Sequence, residues 1–320
     1  MRGFNRLNEA YKNATVIEFD KNSKYVFFGD QHRGDDSLSD EFGRNKHIFN
    51  YALKYYYEND FTYVELGDGD EMWEQKRFDV IRNAHFPTFS LLRKFFLDNR
   101  LIMLYGNHNI CYRKKERVKK DLYHVYDEYL GACEDLFPGI EFHEALIFKE
   151  KRTKQELFAI HGHQGDLLND QLYFLSFVLI RFLWRFMHII GIKNPASPAK
   201  SRRKRHKIEK MYARWIHQHK TILICGHTHR PKFPLKGEHA YFNCGSCVNP
   251  RGIFCLELQN NQICLITWRV NTRKDGTMII KRTVLSGPLN IKEYRDKEKY
   301  DNYEYNIPDE AHCDVNLMQE

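Results

Sequence analysis

Residues 25–32 read YVFFGDQH, a short apolar run that ends at a glycine and is followed by polar side chains. An apolar run of this length bounded by glycine predicts a buried β-strand. The same pattern occurs four more times, as TYVELGDGD (62–70), LIMLYGNHN (101–109), LFAIHGHQGD (157–166) and TILICGHTH (221–229). The polar residues therefore follow the carboxyl ends of strands, where open α/β folds gather their chemistry. Five such segments in series predict one shared site in an α/β fold.

The polar residues of these segments are oxygen and imidazole donors. Seven of them are candidate metal ligands, namely Asp30, His32, Asp68, Asn107, His161, His227 and His229. The set contains no thiolate, which disfavours a structural zinc site. Seven ligands are too many for one ion, but they suit two divalent ions about 3.5–4 Å apart that clamp a displacement at phosphorus. Asp68 lies on the tight loop after the second strand, so we expect it to bridge the two ions.

In these segments the chain resembles the calcineurin-like metallophosphoesterase superfamily, whose pattern is DxH, GD, GNH with a following acid, H, and GHxH. The resemblance covers residues 25–250. It implies a first metal held by Asp30, His32, Asp68 and His229. It implies a second metal held by Asp68, Asn107, His161 and His227. It also implies that His108 acts as an acid that contacts the phosphate or the leaving group.

The function that this resemblance implies is metal-dependent hydrolysis of a phosphate ester or a pyrophosphate. A hydroxide bridging the two ions would attack phosphorus, with Asp68 between the ions and His108 assisting the leaving oxygen. The resemblance favours Mn²⁺ as the working ion, with Fe or Zn as alternatives. The expected partner is a phosphorylated substrate, and monoesters, diesters and pyrophosphates all stay open.

Several narrower functions are compatible with the same pattern. Among enzymes they are a lipid-linked pyrophosphatase acting at the membrane surface, a nuclease and a protein phosphatase. A function of a different class is a non-catalytic binding scaffold, which some superfamily members become after losing metal-binding histidines. This chain keeps every expected ligand and His108, so the scaffold is the least favoured function.

One position departs from the superfamily pattern. Asn109 stands where the acid after GNH is usual. A carboxylate there would orient His108 and hold it protonated, whereas an amide can only orient it. Either another acid serves His108, or the leaving group needs little protonation. The second alternative would favour diesters and pyrophosphates with good leaving groups.

Two histidines compete for one role in the fourth segment. In the superfamily the ligand is the histidine directly after the strand, before glycine, which assigns the role to His161. His163 would then contact the substrate or support a ligand, or would be a loop histidine bonded to solvent.

The resemblance and the element pattern predict an α/β fold: a two-sheet metallophosphoesterase sandwich flanked by helices, with a helical cap insertion. We expect a single domain over 1–289, an insertion at about 167–215 and a charged tail over 290–320. Helical patterns cover 45–59, 71–84, 86–99 and 113–130. Strand-like runs follow the last metal segment at 241–243, 252–258, 262–270 and 277–285. We expect these later strands to form the second sheet.

The insertion contains an apolar, aromatic stretch, Leu172–Ile192. It is almost long enough to span a bilayer, but Arg181 and Arg185 would each cost about 2.5–3.5 kcal/mol near the membrane centre. We therefore expect an amphipathic helix beside the site. It would pack in the protein or in a dimer contact, or serve as a lid or platform for an apolar substrate or membrane. The oligomeric state stays open.

A basic run, Arg202–Lys207, follows this stretch. It could be a solvated face, a contact for anionic lipid headgroups, or a contact for anionic substrates or nucleic acid. The net charge of +8 is compatible with each. The region 172–207 is thus a candidate for peripheral membrane or polyanion contact. An aromatic and basic insertion at this place also resembles the lipid A pathway enzyme that cleaves UDP-diacylglucosamine.

Eight cysteines show no disulfide framework for a chain of 320 residues. The first fifteen residues lack the apolar core of a signal peptide. We therefore expect a cytoplasmic protein, peripheral to the inner face of the membrane if the insertion contacts lipid. Cys244 and Cys247 form an isolated CGSC, which without further ligands is typical of ordinary strand and turn cysteines.

Overall fold

The computed structural model describes residues 2–127, 131–165, 202–235 and 237–294. In these ranges the chain forms an α/β fold with two main sheets and a small hairpin. The strands are β1 (Thr15–Phe19), β2 (Lys24–Phe28), β3 (Thr62–Leu66), β4 (Leu101–Leu104), β5 (His124–Asp127), β6 (Ala132–Asp135), β7 (Phe142–His143), β8 (Ala145–Glu150), β9 (Glu156–Ile160), β10 (Ile222–Cys225), β11 (Tyr241–Asn243), β12 (Ile253–Gln259), β13 (Gln262–Thr272) and β14 (Met278–Asn290). The α-helices are α1 (Arg2–Lys12), α2 (Lys46–Glu58), α3 (Phe78–Ala84), α4 (Phe86–Leu97), α5 (Lys115–Val118) and α6 (Arg202–His219). The 3₁₀ turns are Ile110–Arg113, His163–Gly165 and Ile291–Tyr294, and the π turn is Lys119–Tyr123.

The two main sheets divide the five site segments between them. The seven-stranded sheet has the order β14-β13-β12-β2-β3-β4-β7, in which β2, β3, β4 and β7 are parallel. The five-stranded sheet has the order β1-β8-β9-β10-β11, in which only β8 and β9 pair antiparallel. The two-sheet α/β fold expected from the sequence is therefore confirmed.

The central strands are buried on both faces, which explains their unbroken apolar sequences. Side chains of a strand alternate between its two faces. Phe27 of β2 packs against Phe148 of β8, with ring centroids 5.3 Å apart. Its neighbour Phe28 points the other way and packs against Phe49 of α2, at 5.2 Å. A strand covered on both faces needs apolar residues at every position.

Two of the predicted helices are shorter than the sequence pattern suggested. Within 71–84 only Phe78–Ala84 is helical, because Glu71 is held in a loop by its backbone bond to Arg33 and its side-chain bonds to two histidines. Within 113–130 the α-helix ends at Val118, and His124–Asp127 pairs with Ala132–Asp135 as a hairpin. The predictions of continuous helices over 71–84 and 113–130 were wrong.

The later strands do not together form the second sheet, so that part of the prediction was also wrong. Only β11 joins the five-stranded sheet. Strand β12 pairs antiparallel with β2, and β13 and β14 follow it outward in the seven-stranded sheet. Asn260 and Asn261 both have positive φ, of 53° and 56°. Two such residues form the tight turn of a two-residue hairpin, which returns β13 alongside β12.

The insertion and the tail are described only in part. The basic run Arg202–Lys207 forms the first turns of α6, whose residues Tyr212 and Trp215 are buried. The aromatic stretch 172–192 lies outside the described residues, as do the tail residues 295–320. No helix in the described ranges is long and apolar enough to cross a membrane. The seven cysteines in these ranges are free thiols, and Cys244 and Cys247 are buried.

Candidate metal centre

The loops after five strands meet at one place, where β2, β3 and β4 of one sheet end beside β9 and β10 of the other. Backbone hydrogen bonds join the first two loops: the N–H of Asp30 donates to Gly67 O at 3.2 Å and that of His32 to Asp68 O at 2.8 Å. The N–H of Gly226 donates to His161 O at 2.9 Å and joins the last two. The convergence predicted from strand ends is thus present in the structure.

The backbone at this place is strained. Five of the seven candidate ligands have positive φ, with values of 54° for Asp30, 50° for His32, 52° for Asp68, 65° for His227 and 55° for His229. Residues with a Cβ rarely adopt this conformation, and each instance costs on the order of 1–3 kcal/mol. Such strain persists where the surrounding structure holds it, and it gathers at functional sites. The ligand positions are therefore fixed by the fold.

Two glycines make room for the carboxylates. A Cβ at Gly106 would overlap Asp68 Oδ1, and a Cβ at Gly226 would overlap Asp30 Oδ2. The same carboxylates accept backbone hydrogen bonds of 2.8 Å, Asp68 from His108 N and Asp30 from His227 N, and both donors follow within two residues of the glycines. Gly106 and Gly226 are thus required because a carboxylate lies where the Cβ atom of any other residue would be.

Asp30, His32 and His229 form the first group of donors. His229 Nε2 lies 3.1 Å from Asp30 Oδ1 and 3.2 Å from His32 Nε2. Asp30 is fully buried, and its Oδ1 receives no well-directed hydrogen bond from the described residues. A buried carboxylate oxygen beside two imidazole nitrogens is a set of donors that could hold a cation.

Asp68, His161 and His227 form the second group of donors. His161 Nδ1 lies 2.9 Å from Leu66 O, so Nδ1 carries a proton and donates it. Its Nε2 faces Asp68 Oδ2 at 3.1 Å and Asn107 Oδ1 at 3.2 Å. A lone pair facing two acceptor oxygens is stabilised by a proton or by a cation. Bound to one ion by bonds of about 2.1 Å, neighbouring ligand atoms would lie about 3.0–3.4 Å apart, so these spacings fit a metal site.

Asp68 lies between the two groups. Its Oδ2 is 3.1 Å from His161 Nε2 and 3.9 Å from His32 Nε2. Burial alone would raise the pKa of Asp68, but the nearby His161 and His108 outweigh it and hold the pKa well below its usual range. The carboxylate is therefore ionised at neutral pH, as a metal ligand must be. This placement agrees with the bridging role expected for Asp68, which stays a prediction.

Glu71 is a site residue that the sequence reasoning missed. Its carboxylate lies 2.9 Å from His32 Nδ1 and 2.8 Å from His108 Nδ1. Burial alone would raise its pKa, but the two histidines lower it to about 2. The same three residues form a third group of donors, although here the carboxylate faces the outer nitrogen of a ligand histidine. That arrangement is typical of an acid that orients the ligand from behind. Glu71 was missed because the sequence pattern placed this residue in a helix over 71–84.

Glu71 is the acid next to His108 in place of the residue at position 109. The Asn109 side chain is buried, and its Oδ1 accepts a hydrogen bond of 2.6 Å from Gly106 N. It therefore shapes the loop that carries Asn107 and His108. The acid beside His108 comes from another part of the chain, so the departure at Asn109 gives no reason to favour good leaving groups.

His163 lies beside the second group without joining it. Its ring centroid is 5.5 Å from that of His161, and no donor group within the described residues includes it. Burial keeps the pKa of His163 well below its usual range. The structure thus places His161 beside Asp68 and Asn107 and leaves His163 outside that group, and the assignment of the ligand role to His161 stays a prediction.

A buried ion network supports the loop that carries Asp68 and Glu71. Arg33 is fully buried, with its Nε 2.8 Å from Asp70 Oδ1 and its two terminal nitrogens 2.9 and 3.1 Å from the Glu65 carboxylate. Its backbone N–H donates to Gly69 O at 2.9 Å, and its carbonyl accepts from Glu71 N at 3.0 Å. Arg33 therefore ties the first loop to the second through both side chain and backbone.

Comparison with known proteins gives structural matches only. The sequence matches no known family model and no curated protein. A solved cold-active protein-tyrosine phosphatase of a psychrophilic Shewanella species matches at 14% identity, covering 85% of this chain and 83% of that chain, with a TM-score of 0.36. A mutant cold-active protein tyrosine phosphatase matches with the same identity, coverage and TM-score. A further structure of a cold-active protein tyrosine phosphatase matches at 14% identity, with 85% and 81% coverage and a TM-score of 0.35.

Proposed function

We propose that this protein is a phosphoesterase that depends on two divalent metal ions. The observation that carries the proposal is the pair of donor groups on either side of Asp68, with His108 next to them. Ion-dependent hydrolysis at phosphorus needs a shared carboxylate, a balanced set of further ligands and a proton donor near the reacting oxygen. The superfamily pattern in the sequence assigns the same residues to the roles of shared carboxylate, further metal ligand and proton donor.

Each ion would take ligands from both sheets. The first ion would be held by Asp30, His32, Asp68 and His229. The second would be held by Asp68, Asn107, His161 and His227. Oxygen and imidazole donors suit Mn²⁺, Fe and Zn, and the superfamily resemblance favours Mn²⁺. Bound ions would supply positive charge for the phosphoryl oxygens and lower the pKa of water.

His108 would act on the leaving group. Glu71 lies at Nδ1 of its ring, so that nitrogen is taken, and Nε2 is the nitrogen left for the substrate. A proton on Nε2 would pass to the leaving oxygen as its bond to phosphorus breaks. Glu71 would hold the ring by its Nδ1 edge while Nε2 acts on the leaving oxygen.

A non-catalytic scaffold explains these features less well. A binding surface has no need of five strained ligand positions, two glycines matched to carboxylates, or an acid behind two of the histidines. Such features are costly, and they are retained where a reaction requires fixed geometry.

A hydrolysis screen tests the proposal. Purified protein would be stripped with a chelator, reloaded with Mn²⁺, and given phosphate monoesters, diesters, nucleotides and lipid-linked diphosphates. We expect hydrolysis of at least one class, lost on chelation and restored by the metal. Hydrolysis that survives complete removal of metal would contradict the proposal, as would fully loaded protein that cleaves no phosphoester.

A further inference from the structure

Trp73 stacks on the ring of His108. The two ring centroids are 4.1 Å apart and the planes are inclined by 20°. Trp73 is only 2% exposed, so its indole is held in place by the surrounding protein. It lies on the loop after Asp68, two residues beyond Glu71. The sequence patterns assigned no role to this residue.

Three contacts restrain the His108 ring. Glu71 fixes its Nδ1 edge, Trp73 covers one face, and the His32 ring meets it at 88° with centroids 4.5 Å apart. A hydrogen bond at Nδ1 alone would leave the ring free to turn about the bond axis. A flat indole against the face removes that freedom, because turning the ring would break the stack. The direction of Nε2 is thereby fixed.

From this geometry we infer that Trp73 is a positioning residue, which holds His108 so that Nε2 faces the leaving oxygen of the substrate. The inference rests on the proposed phosphoesterase function. As the bond between phosphorus and the leaving oxygen breaks, its electron pair goes to that oxygen. The proton on His108 Nε2 then goes to the same oxygen. In this role Trp73 acts through His108.

The chain offers a matched control for the stack. Trp215 lies on the ring of His219 with centroids 4.2 Å apart and an inclination of 18°, and it is fully buried in α6. Neither residue belongs to a donor group within the described residues. Replacing Trp215 by leucine removes a similar stack and a similar side-chain volume, together with the hydrogen bond of 2.8 Å that Trp215 donates to Asn8 Oδ1. It therefore reports the general cost of losing a buried tryptophan.

The test measures how turnover depends on the leaving group. Substrates would be aryl phosphoesters that differ only in the leaving phenol, from nitrophenol to phenol. For Trp73→Leu we expect kcat on the phenyl ester to fall about tenfold or more, a fraction of the 10²–10⁴ that an acid catalyst contributes. The nitrophenyl ester, KM and metal content should change little. Trp73→Phe should keep most of the rate, since a phenyl ring still stacks, and Trp215→Leu should keep the dependence of the parent.

Three results would overturn the inference. They are equal losses on all leaving groups in Trp73→Leu, a Trp73→Phe variant as slow as Trp73→Leu, and a Trp215→Leu variant with the same change in leaving-group dependence as Trp73→Leu. A second measurement distinguishes the positioning role from a general loss of stability in Trp73→Leu. In a His108→Ala background, Trp73→Leu should add no further leaving-group dependence, because two residues that act through one group are not additive. Additive losses would contradict it. The aryl series would be made in the ester class that the hydrolysis screen identifies. Parent protein that cleaves no class in that screen would instead contradict the phosphoesterase function itself.

Discussion

At the scale of single residues, the carboxylate of Glu71 links a predicted metal ligand to the predicted proton donor. It contacts His32, a predicted ligand of the first ion, and His108, the predicted acid, through the outer nitrogen of each ring. One acid thus orients two rings with different tasks. Metal binding and assistance to the leaving group would then both depend on Glu71.

Glu71→Gln should therefore weaken both functions. The amide is of similar size but lacks the charge, so we expect activity or affinity for the first ion to fall about 10–100-fold, the usual effect of losing such a support. Glu58→Gln, on the exposed end of α2, is the control and should match the parent. Metal titration and turnover would be measured on both variants. Unchanged metal affinity and turnover in Glu71→Gln would show that Glu71 has no role in the site.

The choice between His161 and His163 is tested at the same scale. His161 Nε2 faces an oxygen of Asp68 and one of Asn107. In contrast, the ring centroid of His163 lies 5.5 Å from that of His161, and His163 belongs to no donor group within the described residues. We expect His161→Ala to lose one ion and His163→Ala to keep both and alter turnover only. Elemental analysis of the two purified variants decides the point. The opposite pattern would move the ligand by two residues.

At the scale of elements, the strand-end loops are held together by Arg33. Replacing it by methionine would leave the Glu65 and Asp70 carboxylates buried without their cation. We expect Arg33→Met to lower the free energy of unfolding by about 3–5 kcal/mol, the cost of breaking a buried pair. Lys115→Met removes the partner of Glu141 at the surface, where both side chains are exposed, and should leave the free energy of unfolding almost unchanged. Urea unfolding measures both, and equal losses would argue against a special role for Arg33.

The sequence predicted some elements better than others. The five strands before the polar segments were found because a short apolar run closed by glycine rarely forms anything but a buried strand. The loop of Glu71 and Trp73 was not found, since EMWEQKRFDVIRNA also has helical spacing. Contacts of Glu71 with Arg33 and with two distant histidines hold the first part of this segment in a turn. The sheet of β12 was misassigned because a hairpin can add to either sheet. Partner choice between strands depends on contacts far apart in sequence.

Within the site, the donors were predictable and their support was not. The candidate ligands follow directly after strands, so the sequence pattern alone predicted that Asp30, Asp68 and His161 lie close together. Glu71, Trp73 and Arg33 act through side-chain contacts with residues remote in the chain. No local spacing announces such contacts. The position of Glu71, three residues after Asp68, was the one available signal.

At the scale of the whole molecule, the ions would join the two sheets. The predicted ligands on the loops after β2, β3 and β4 follow strands of the seven-stranded sheet, and those on the loops after β9 and β10 follow strands of the five-stranded sheet. Metal binding should therefore stabilise the whole sandwich. At a free concentration of about 100 times Kd, each ion would add about 2.7 kcal/mol to the stability.

Removing the metal should consequently lower the melting temperature of the entire domain. We expect a single unfolding transition that moves to lower temperature in the presence of a chelator and returns on adding Mn²⁺. Scanning calorimetry would show it. A melting temperature that is independent of metal would mean that the ligands do not bind ions across the two sheets.

The most direct test of the two-ion centre is the metal content of Asp68→Asn. The parent protein should hold two divalent ions per chain, and so should the control Asp79→Asn, whose side chain is exposed on α3. Because Asp68 would serve both ions, the Asp68→Asn variant should lose both and with them the phosphoesterase activity. Elemental analysis after gel filtration gives the answer. Two tightly bound ions in Asp68→Asn, or fewer than two in the parent loaded with Mn²⁺, would contradict the account.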